Sequence, residues 1–329
     1  MRVAITGVLR AMKKTEQRLS VLLAILGPCL CSGAAMAAPS FTFTTLDDPS
    51  GFNGTRAQDV SGGVVVGWYQ GYGTHGFLYN GSTYTTLDVP SAAPYGNTMA
   101  YGISGNNVVG VYGDVSQICH GFIYNGSTYT TLDDPLETGT SAGSGTYAYG
   151  ISGNEVVGFY YNGGNEYAYL YNGSTYTTLN GPSGAFNTLA CGISGNDIVG
   201  TCEDASGIHG FLYNGSTYTK LDDPSGIGNT WASGIFGGNI VGSYTDSSGK
   251  THGFIYNGST YTTLDDPLGT GGTYLSGISG GRMVGTYVDS SGSSHGFVAS
   301  TPEPSTLALF GAGALGLLAY AWRRKRVSA

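Results

Sequence analysis

Positive charge is scarce through most of this 329-residue chain. Between residues 39 and 299, four Lys and Arg residues stand against nineteen Asp and Glu residues, which is a formal charge of −15. A body of this sign repels phosphate backbones, and this excludes nucleic acid as a partner. The other basic residues all stand near the two chain ends: Arg2, Arg10, Lys13, Lys14, Arg18, Arg323, Arg324, Lys325 and Arg326.

Helix-forming residues are also scarce. Charged residues make up only 10% of the chain, and Glu, Lys, Gln and Leu are few between residues 40 and 300. Glycine and tyrosine are abundant instead, with 57 and 25 copies. This composition favours an all-β protein with many tight turns, and the chain is long enough to bury a sizeable core.

The N-terminus has the pattern of an export signal. Lys13, Lys14 and Arg18 precede the apolar run Val21–Leu26, and small residues follow as far as Ala37 and Ala38. We predict a signal peptide over residues 1–37, recognised by the Sec machinery and cleaved between Ala37 and Ala38. Translation from Met12 instead of Met1 would leave an ordinary short basic region. A membrane helix that is never cleaved is the alternative.

The C-terminus combines three features. Pro302-Glu303-Pro304 is followed by the uncharged run Ser305–Trp322 and then by four basic residues. A run of this length can cross a hydrocarbon core of ~30 Å, and the basic cluster should stay cytoplasmic. Residues 300–329 are therefore predicted to hold a single transmembrane helix.

This tail closely resembles the PEP-CTERM sorting signal. The resemblance implies a Gram-negative exporter and an exosortase that handles the tail. It also implies a transient or retained inner-membrane anchor, with release to or attachment at the cell exterior, often beside exopolysaccharide production. A plain single-pass anchor would explain the apolar run and the basic cluster, but not the Pro302-Glu303-Pro304-Ser305 entry.

One unit recurs along the body. The motif "HGFLYNGSTYTTLD" or a close variant begins at residues 75, 120, 167, 209 and 252, a shortened copy begins at 295, and the spacing is 42 to 47 residues. A second motif of the type "AYGISGNNVVG" precedes each copy. In the fifth copy the four β-prone runs are Ala232–Phe236, Asn239–Tyr244, His252–Tyr256 and Thr260–Asp265, which we call a, b, c and d. Four strands in about 43 residues is the size of a propeller blade.

The chain ends favour a closed ring. The sixth copy lacks strand d, and the segment "FTFTTLDDPSG" at residues 41–51 matches that missing strand. We therefore predict a six-bladed β-propeller of four-stranded blades over residues 38–299, closed by the N-terminal strand. Another all-β repeat arrangement is the alternative. The H-G-F-[LI]-Y core with its upstream G-I-S-G-N-x-V-V-G also resembles HAF repeats, which implies an exported repeat protein with no established activity.

Asn-Gly in the repeat is typical of a two-residue hairpin, which would pair Tyr256 with Ser259. This turn chemistry explains Asn257-Gly258-Ser259 without glycan attachment. The histidines occupy one repeat position, at His75, His120, His209, His252 and His295, with Tyr167 in the third copy. A hydrogen bond to the carboxylates at the end of strand d is expected for each, and a metal site in each blade is the alternative.

Three cysteines lie in the predicted mature protein, because Cys29 and Cys31 leave with the signal. The strand pattern of the fourth copy predicts that Cys191 on strand a and Cys202 on strand b lie on one face of a hairpin, near each other but not directly opposite. Outside the cytoplasm a disulfide between them is one interpretation. Two buried thiols that replace Tyr101 and Tyr112 are the other.

In up-and-down blades the b–c and d–a connections share one face, and sixteen of the nineteen acidic residues fall on them. We predict a binding surface there, with these candidates: Asp134, Asp204, Asp223, Asp246, Asp266 and Asp289. Clustered carboxylates suit Ca²⁺, although no D-x-D-x-D-G loop is present, and no other cofactor is indicated. Hydroxyl-rich polysaccharide also suits such a face. Turn formation and solubility explain the same residues without a ligand.

No unique Ser, His and acid set indicates nucleophilic catalysis, since every His belongs to a repeated position. The sequence predicts an exported, surface-associated, non-catalytic binding or structural module linked to extracellular polysaccharide. A carbohydrate-active enzyme on the acidic face, with Glu166 and Glu203 as candidate acids, is the alternative. A purely mechanical coat protein is a third hypothesis.

Overall fold

The computed structural model describes residues 41–94 and 97–301. The predicted signal cleavage site at Ala37 and Ala38 lies outside these residues, as do Pro302, Glu303 and Pro304 and the predicted tail helix. Within the described part, no helix is long and apolar enough to cross a membrane.

The described residues form six four-stranded antiparallel sheets. Blade 1 contains β2 (Thr55–Ser61), β3 (Val64–Gln70), β4 (Thr74–Tyr79) and β5 (Tyr84–Leu87). Blade 2 contains β6 (Thr98–Ser104), β7 (Asn107–Gly113), β8 (Cys119–Tyr124) and β9 (Tyr129–Leu132). Blade 3 contains β10 (Thr146–Ser152), β11 (Glu155–Asn162), β12 (Asn165–Tyr171) and β13 (Tyr176–Leu179).

Blade 4 contains β14 (Asn187–Ser194), β15 (Asp197–Asp204), β16 (Gly207–Tyr213) and β17 (Tyr218–Leu221). Blade 5 contains β18 (Thr230–Phe236), β19 (Asn239–Thr245), β20 (Thr251–Tyr256) and β21 (Tyr261–Thr263). Blade 6 contains β22 (Gly272–Ser279), β23 (Arg282–Val288) and β24 (Ser294–Ser300), and it is completed by β1 (Thr42–Leu46). The predicted six-bladed propeller is confirmed.

The ring closes as predicted. β1 pairs with β24 from Thr42 opposite Ser300 to Leu46 opposite Gly296. The Leu46 side chain is only 3% exposed and packs in a cluster with blade 1 residues such as Ala57 and Phe77. The first strand thus joins the last blade to the first.

We call the side that carries the b–c and d–a connections the loop face and the side that carries the a–b and c–d turns the turn face. In blade 5 the loop face contains residues 246–250 and 264–271, and the turn face contains residues 237–238 and 257–260. The last described residue, Thr301, donates its N–H to Gly281 in an a–b turn, over 3.2 Å. The described chain therefore begins and ends on the turn face.

The core lies between neighbouring blades. One aromatic residue of each c strand is fully buried, and these residues are Phe77, Phe122, Tyr169, Phe211, Phe254 and Phe297. Each such side chain contributes about 1.5–3 kcal/mol by leaving water. The repeated core therefore accounts for the blade stacking.

A bulge shapes the inner strand of every blade. In blade 5 the pairing register shifts between Ala232 and Gly234. Gly242 lies opposite Ala232, where an added Cβ would fall well inside contact distance of the Trp231 carbonyl oxygen. Only glycine fits beside the bulge at this position, which explains why V-V-G or I-V-G recurs.

The c–d turns differ from the two-residue hairpin that the Asn-Gly pair predicted. Tyr256 pairs with Tyr261, so the loop has four residues, Asn257–Thr260. The Asn257 Oδ1 atom accepts hydrogen bonds from the Ser259 N–H at 3.0 Å and the Thr260 N–H at 2.9 Å. The asparagine side chain therefore completes the turn, and the prediction of the hairpin type was wrong because Asn-Gly alone does not fix loop length.

Candidate functional site

Three of the predicted binding residues form structural turns. Asp134, Asp223 and Asp266 are only 3–4% exposed. In each d–a connection the Asp backbone N–H donates to a threonine hydroxyl on the next a strand, and for Asp266 this is Thr273 at 3.1 Å. Its carboxylate accepts the Leu268 N–H at 2.8 Å. These carboxylates are therefore buried inside the turns and are not presented to a large ligand.

The other three predicted binding residues, Asp204, Asp246 and Asp289, organise the b–c connections. The Asp246 Oδ1 atom accepts the Ser248 N–H at 2.8 Å and the Lys250 N–H at 3.0 Å, and also the Ser248 hydroxyl at 2.7 Å. Hydrogen bonds of this kind hold the pKa of Asp246 well below its ordinary value. Asp289 has the same arrangement with Ser291 and Ser293, which lowers its pKa to about 2.

Four of the five repeated histidines contact carboxylates of both connections on the loop face, and His75 contacts Asp88 of the d–a connection. The sequence predicted the contact with the carboxylates at the end of strand d. His252 Nδ1 lies 2.7 Å from Asp265, and its Nε2 lies 3.2 Å from Asp246. The imidazole stacks on Tyr244 with ring centroids 5.3 Å apart. The equivalent pairs are His75–Asp88, His120–Asp133, His209–Asp222 and His295–Asp47. Hence the b–c and d–a connections do meet on the loop face.

The carboxylate partners of His252 also change its pKa. Burial lowers the pKa of His252, but the hydrogen bonds to Asp265 and Asp246 outweigh it and raise the pKa above its ordinary value. In the described chain, no group of three or more His, Cys, Asp or Glu side chains is placed to hold a metal ion. We therefore describe each set as a clamp between two connections.

The disulfide that was one of the two interpretations of Cys191 and Cys202 is not formed, and both thiols are free. Cys191 stands at the bulge of β14 and lines the central axis, whereas Cys202 pairs with Thr188 and packs against Phe211 in the core. The bulge turns the two side chains to different surroundings. They therefore occupy the places of Tyr101 and Tyr112, as the alternative interpretation held.

The positions that vary among blades converge on the axis. A cavity of about 190 Å³ is lined by one bulge residue from each blade, and these residues are Gln58, Tyr101, Tyr149, Cys191, Ser233 and Ser276. The residue just before each of them is almost constant, being alanine in blades 1 to 5 and leucine, Leu275, in blade 6. In a repeat protein, residues that differ among otherwise similar repeats stand at positions whose identity core packing does not determine.

The residues at the entrance to this cavity also differ among the blades. Two residues earlier on each a strand, on the same side of the strand and nearer the loop face, the residues are Arg56, Met99, Tyr147, Leu189, Trp231 and Tyr274. Arg56 stacks over Trp68, with its guanidinium carbon 5.0 Å from the ring centroid. We call the entrance and the cavity together the axial funnel.

The funnel narrows to a waist with one acidic residue. Blades 2 to 6 have glycine after the bulge, and a Cβ on Gly102 would lie 2.6 Å from the Tyr149 carbonyl oxygen of the next blade. Blade 1 has Asp59 at this position. Its carboxylate accepts the Val60 N–H at 2.8 Å and the Ile103 N–H at 2.9 Å, which links blades 1 and 2.

Asp59 is the one charged residue among those that line the waist. Burial raises its pKa to about 7, and the two backbone hydrogen bonds oppose this rise. Sequence reasoning missed Asp59, although a column-by-column comparison of the six copies shows that it replaces a residue that is glycine in the other five.

Blade 3 adds an aromatic wall and a side recess. Tyr147 stacks on Phe159 at 4.5 Å, and Phe159 lies 5.6 Å from Tyr161. Beyond Tyr161 is an open recess of about 510 Å³, lined by its ring and by residues 138–144 and 163–164. These residues are mainly Thr, Ser and Gly, so the recess offers hydroxyl and peptide groups without charge.

Glu166 and Glu203, which the sequence offers as candidate acids, both contact Asn187 beside this recess. The Tyr161 hydroxyl donates to Glu166 at 2.8 Å. Asn187 links Glu166 to Glu203, since its Oδ1 accepts the Glu166 N–H at 3.2 Å and its Nδ2 donates to Glu203 at 3.1 Å. The Glu166 carboxylate is thus held by Tyr161 and the Glu203 carboxylate by Asn187, and the Glu166 N–H joins blade 3 to blade 4 through the Asn187 side chain.

Comparison with known families identifies the tail. Residues 300–325 match the family model described as the PEP-CTERM protein-sorting motif. The motif implies an exported protein whose C-terminal tail anchors it in a membrane before an exosortase processes it. No protein of curated function matches the chain.

Several solved structures resemble the propeller at low identity. A fungal lectin from Aleuria aurantia, described as a six-bladed β-propeller that recognises fucose, is 14% identical, with a TM-score of 0.46 over 74% of this chain and 90% of its own. The β-propeller domain of the Trilobed protease from Pyrococcus furiosus is 8% identical, with a TM-score of 0.46 over 80% and 96%. A Trypanosoma rangeli sialidase is 12% identical, with a TM-score of 0.47 over 80% and 59%. Likeness at this level assigns no ligand.

Proposed function

We propose that the protein is an exported, surface-associated, non-catalytic module that binds extracellular polysaccharide in the axial funnel. The observation that carries this proposal is the convergence of the blade-variable positions on one axial cavity. Inside the blades the packing residues repeat, whereas the residues that line this cavity differ from blade to blade.

The chemistry of the funnel suits sugars. Aromatic side chains at its entrance offer flat apolar faces, and Tyr101, Tyr149, Ser233 and Ser276 offer hydroxyl groups inside. Binding sites commonly combine apolar walls with a few convergent polar groups in this way. The neutral recess beside Tyr161 gives a polymer chain a path from the funnel across the loop face.

The test uses substitutions that other blades already contain. Tyr149→Ser copies Ser233 and Ser276, and Trp231→Leu copies Leu189, so both side chains are compatible with the scaffold. We expect each to weaken binding of the host's own exopolysaccharide about tenfold or more, because stacking area and a hydroxyl are lost. Isothermal titration calorimetry with the exported protein measures this change.

A matched control lies on the same strand as Trp231. Phe236 is 45% exposed on the turn face, so Phe236→Ala should leave the affinity unchanged. Unchanged binding in the Tyr149→Ser, Trp231→Leu double variant would disprove the funnel as the site. The absence of any saturable binding would favour the mechanical coat protein.

The paired glutamates favour a carbohydrate-active enzyme as the second candidate. Two carboxylates that flank a glycosidic bond are the usual requirement for such cleavage. Incubation of exopolysaccharide with the wild-type protein, followed by chromatography of the products, separates the two functions. Oligosaccharides that vanish in both Glu166→Gln and Glu203→Gln variants would replace our proposal by the enzyme.

A further inference from the structure

Asp59 presents an unusual charge balance at the waist. The residues around it are the bulge residues of all six blades, three glycines and four isoleucines, and none of them is basic. Arg56, three residues earlier, is turned over Trp68 at the entrance and exposed. The half-buried carboxylate is compensated in part by the N–H groups of Val60 and Ile103, and a cation in the adjacent space would compensate it further.

The space next to Asp59 is small. The waist holds about 40 Å³ between the axial cavity and the turn face. This volume accepts one water-sized group, such as an ammonium group, but no further sugar ring. The cavity above it, at about 190 Å³, is large enough for a ring that carries such a group.

The wall above Asp59 also favours a cation. Tyr101 and Tyr149 meet at the axis with ring centroids 4.5 Å apart. Aromatic faces attract ammonium groups, and this attraction is stronger where water is excluded. The hydroxyl and amide groups of Ser233, Ser276 and Gln58 complete a lining that has no positive charge.

The negative charge of the loop face also favours a cationic ligand, and it acts at longer range than Asp59. Its clamps and connections hold most of the nineteen acidic residues of the body. A face of one sign raises the local concentration of ligands of the opposite sign and repels like charges. Polymers rich in carboxylate or sulfate would therefore approach poorly.

We propose that the funnel selects a saccharide that carries a free amino group, with the ammonium seated at the waist against the Asp59 carboxylate. This inference rests on the proposed function and names its ligand class, an amino sugar without an N-acetyl group. The pKa of about 7 agrees with it, since a bound ammonium would restore the ionised carboxylate that burial disfavours.

The experiment compares two probes of equal length, glucosamine hexasaccharide and N-acetylglucosamine hexasaccharide, by calorimetry with the exported protein. We expect the amino form to bind about tenfold more tightly or better, because a charge-assisted hydrogen bond is gained. Asp59→Asn keeps the shape and one of the two hydrogen-bond acceptors but removes the charge, and it should abolish this preference. Asp59→Gly, which copies the other five blades, should do the same and serves if the asparagine variant does not fold.

The outcomes separate the two proposals. Equal affinity for the two probes overturns the amino-sugar inference. A preference that survives in both Asp59 variants also overturns it, and assigns the charge selection to the loop-face carboxylates. If Tyr149→Ser weakens binding of the host polysaccharide while the probes bind equally, the proposed function stands without this inference.

Discussion

At the buried aromatic position of the c strand, one blade differs from the other five by a single hydroxyl group. Five blades have phenylalanine there, and blade 3 has Tyr169. The Tyr169 hydroxyl is buried and has no hydrogen-bond partner among the described residues. An unpaired buried hydroxyl costs about 1–3 kcal/mol, so blade 3 is less stable at this point than its neighbours.

Tyr169→Phe should therefore stabilise the protein by about 1 kcal/mol and raise the Tm by about 2–4 °C. The reciprocal change Phe211→Tyr, at the same position of blade 4, should lower the Tm. Differential scanning calorimetry checks both. A decrease in Tm for Tyr169→Phe would show that the hydroxyl has a partner that stabilises it.

At the scale of strands and connections, the histidine clamps tie the third strand to the two connections of the loop face. His252 and His295 have raised pKa values, so the stability that they add is fully present below the unfolded pKa and is lost as pH rises through the folded pKa. Asp246 and Asp289 have lowered pKa values, so their contribution is present above the unfolded pKa and is lost as pH falls through the folded pKa. Together they favour mildly acidic conditions, between about pH 4 and 6.5.

We expect the Tm to be higher at about pH 5.5 than at pH 8, and His252→Gln to reduce this difference by about 1–3 °C. Tyr167→Phe is the matched control, because blade 3 has tyrosine at the clamp position and no histidine. Thermal melts by circular dichroism at the two pH values give the result. An unchanged pH dependence in His252→Gln would mean that the clamp adds no stability through its charge.

The strands and connections show which features the sequence could predict and which it could not. The repeated β-prone runs and their spacing predicted the four strands of each blade, and His252 lies beside Asp265 at the end of strand d, as expected. The turn at Asn257 was wrong in length because its side chain replaces a backbone hydrogen bond. Of the two interpretations of Cys191 and Cys202, the structure has the free thiols, because a bulge turns Cys191 to the axis. The likeness to HAF repeats stays a prediction.

For the whole molecule, closure through β1 is the feature that the divided repeat predicted and the structure confirms. The site was harder to predict. Loop acidity pointed to Asp134, Asp223 and Asp266, which are buried, since a list of carboxylates does not show which ones a turn has enclosed. The axial position of Asp59 depends on the bulge and on the meeting of six strands, and neither is visible in one copy of the repeat.

Removal of residues 41–48 should open the ring. The loss of Leu46 burial and of the β1–β24 ladder should cost at least about 3 kcal/mol and lower the Tm by about 6–12 °C. A synthetic peptide of residues 40–50 should restore the Tm by pairing with β24. A truncated protein that melts like the full chain would contradict closure by β1.

The position of Thr301 has a mechanical consequence. Any tether that follows this residue leaves from the end of β24, which is hydrogen-bonded to β23 on one side and to β1 on the other. Tension along β24 must therefore break the hydrogen bonds that join β24 to β23 and to β1 together, and cannot break them one after another.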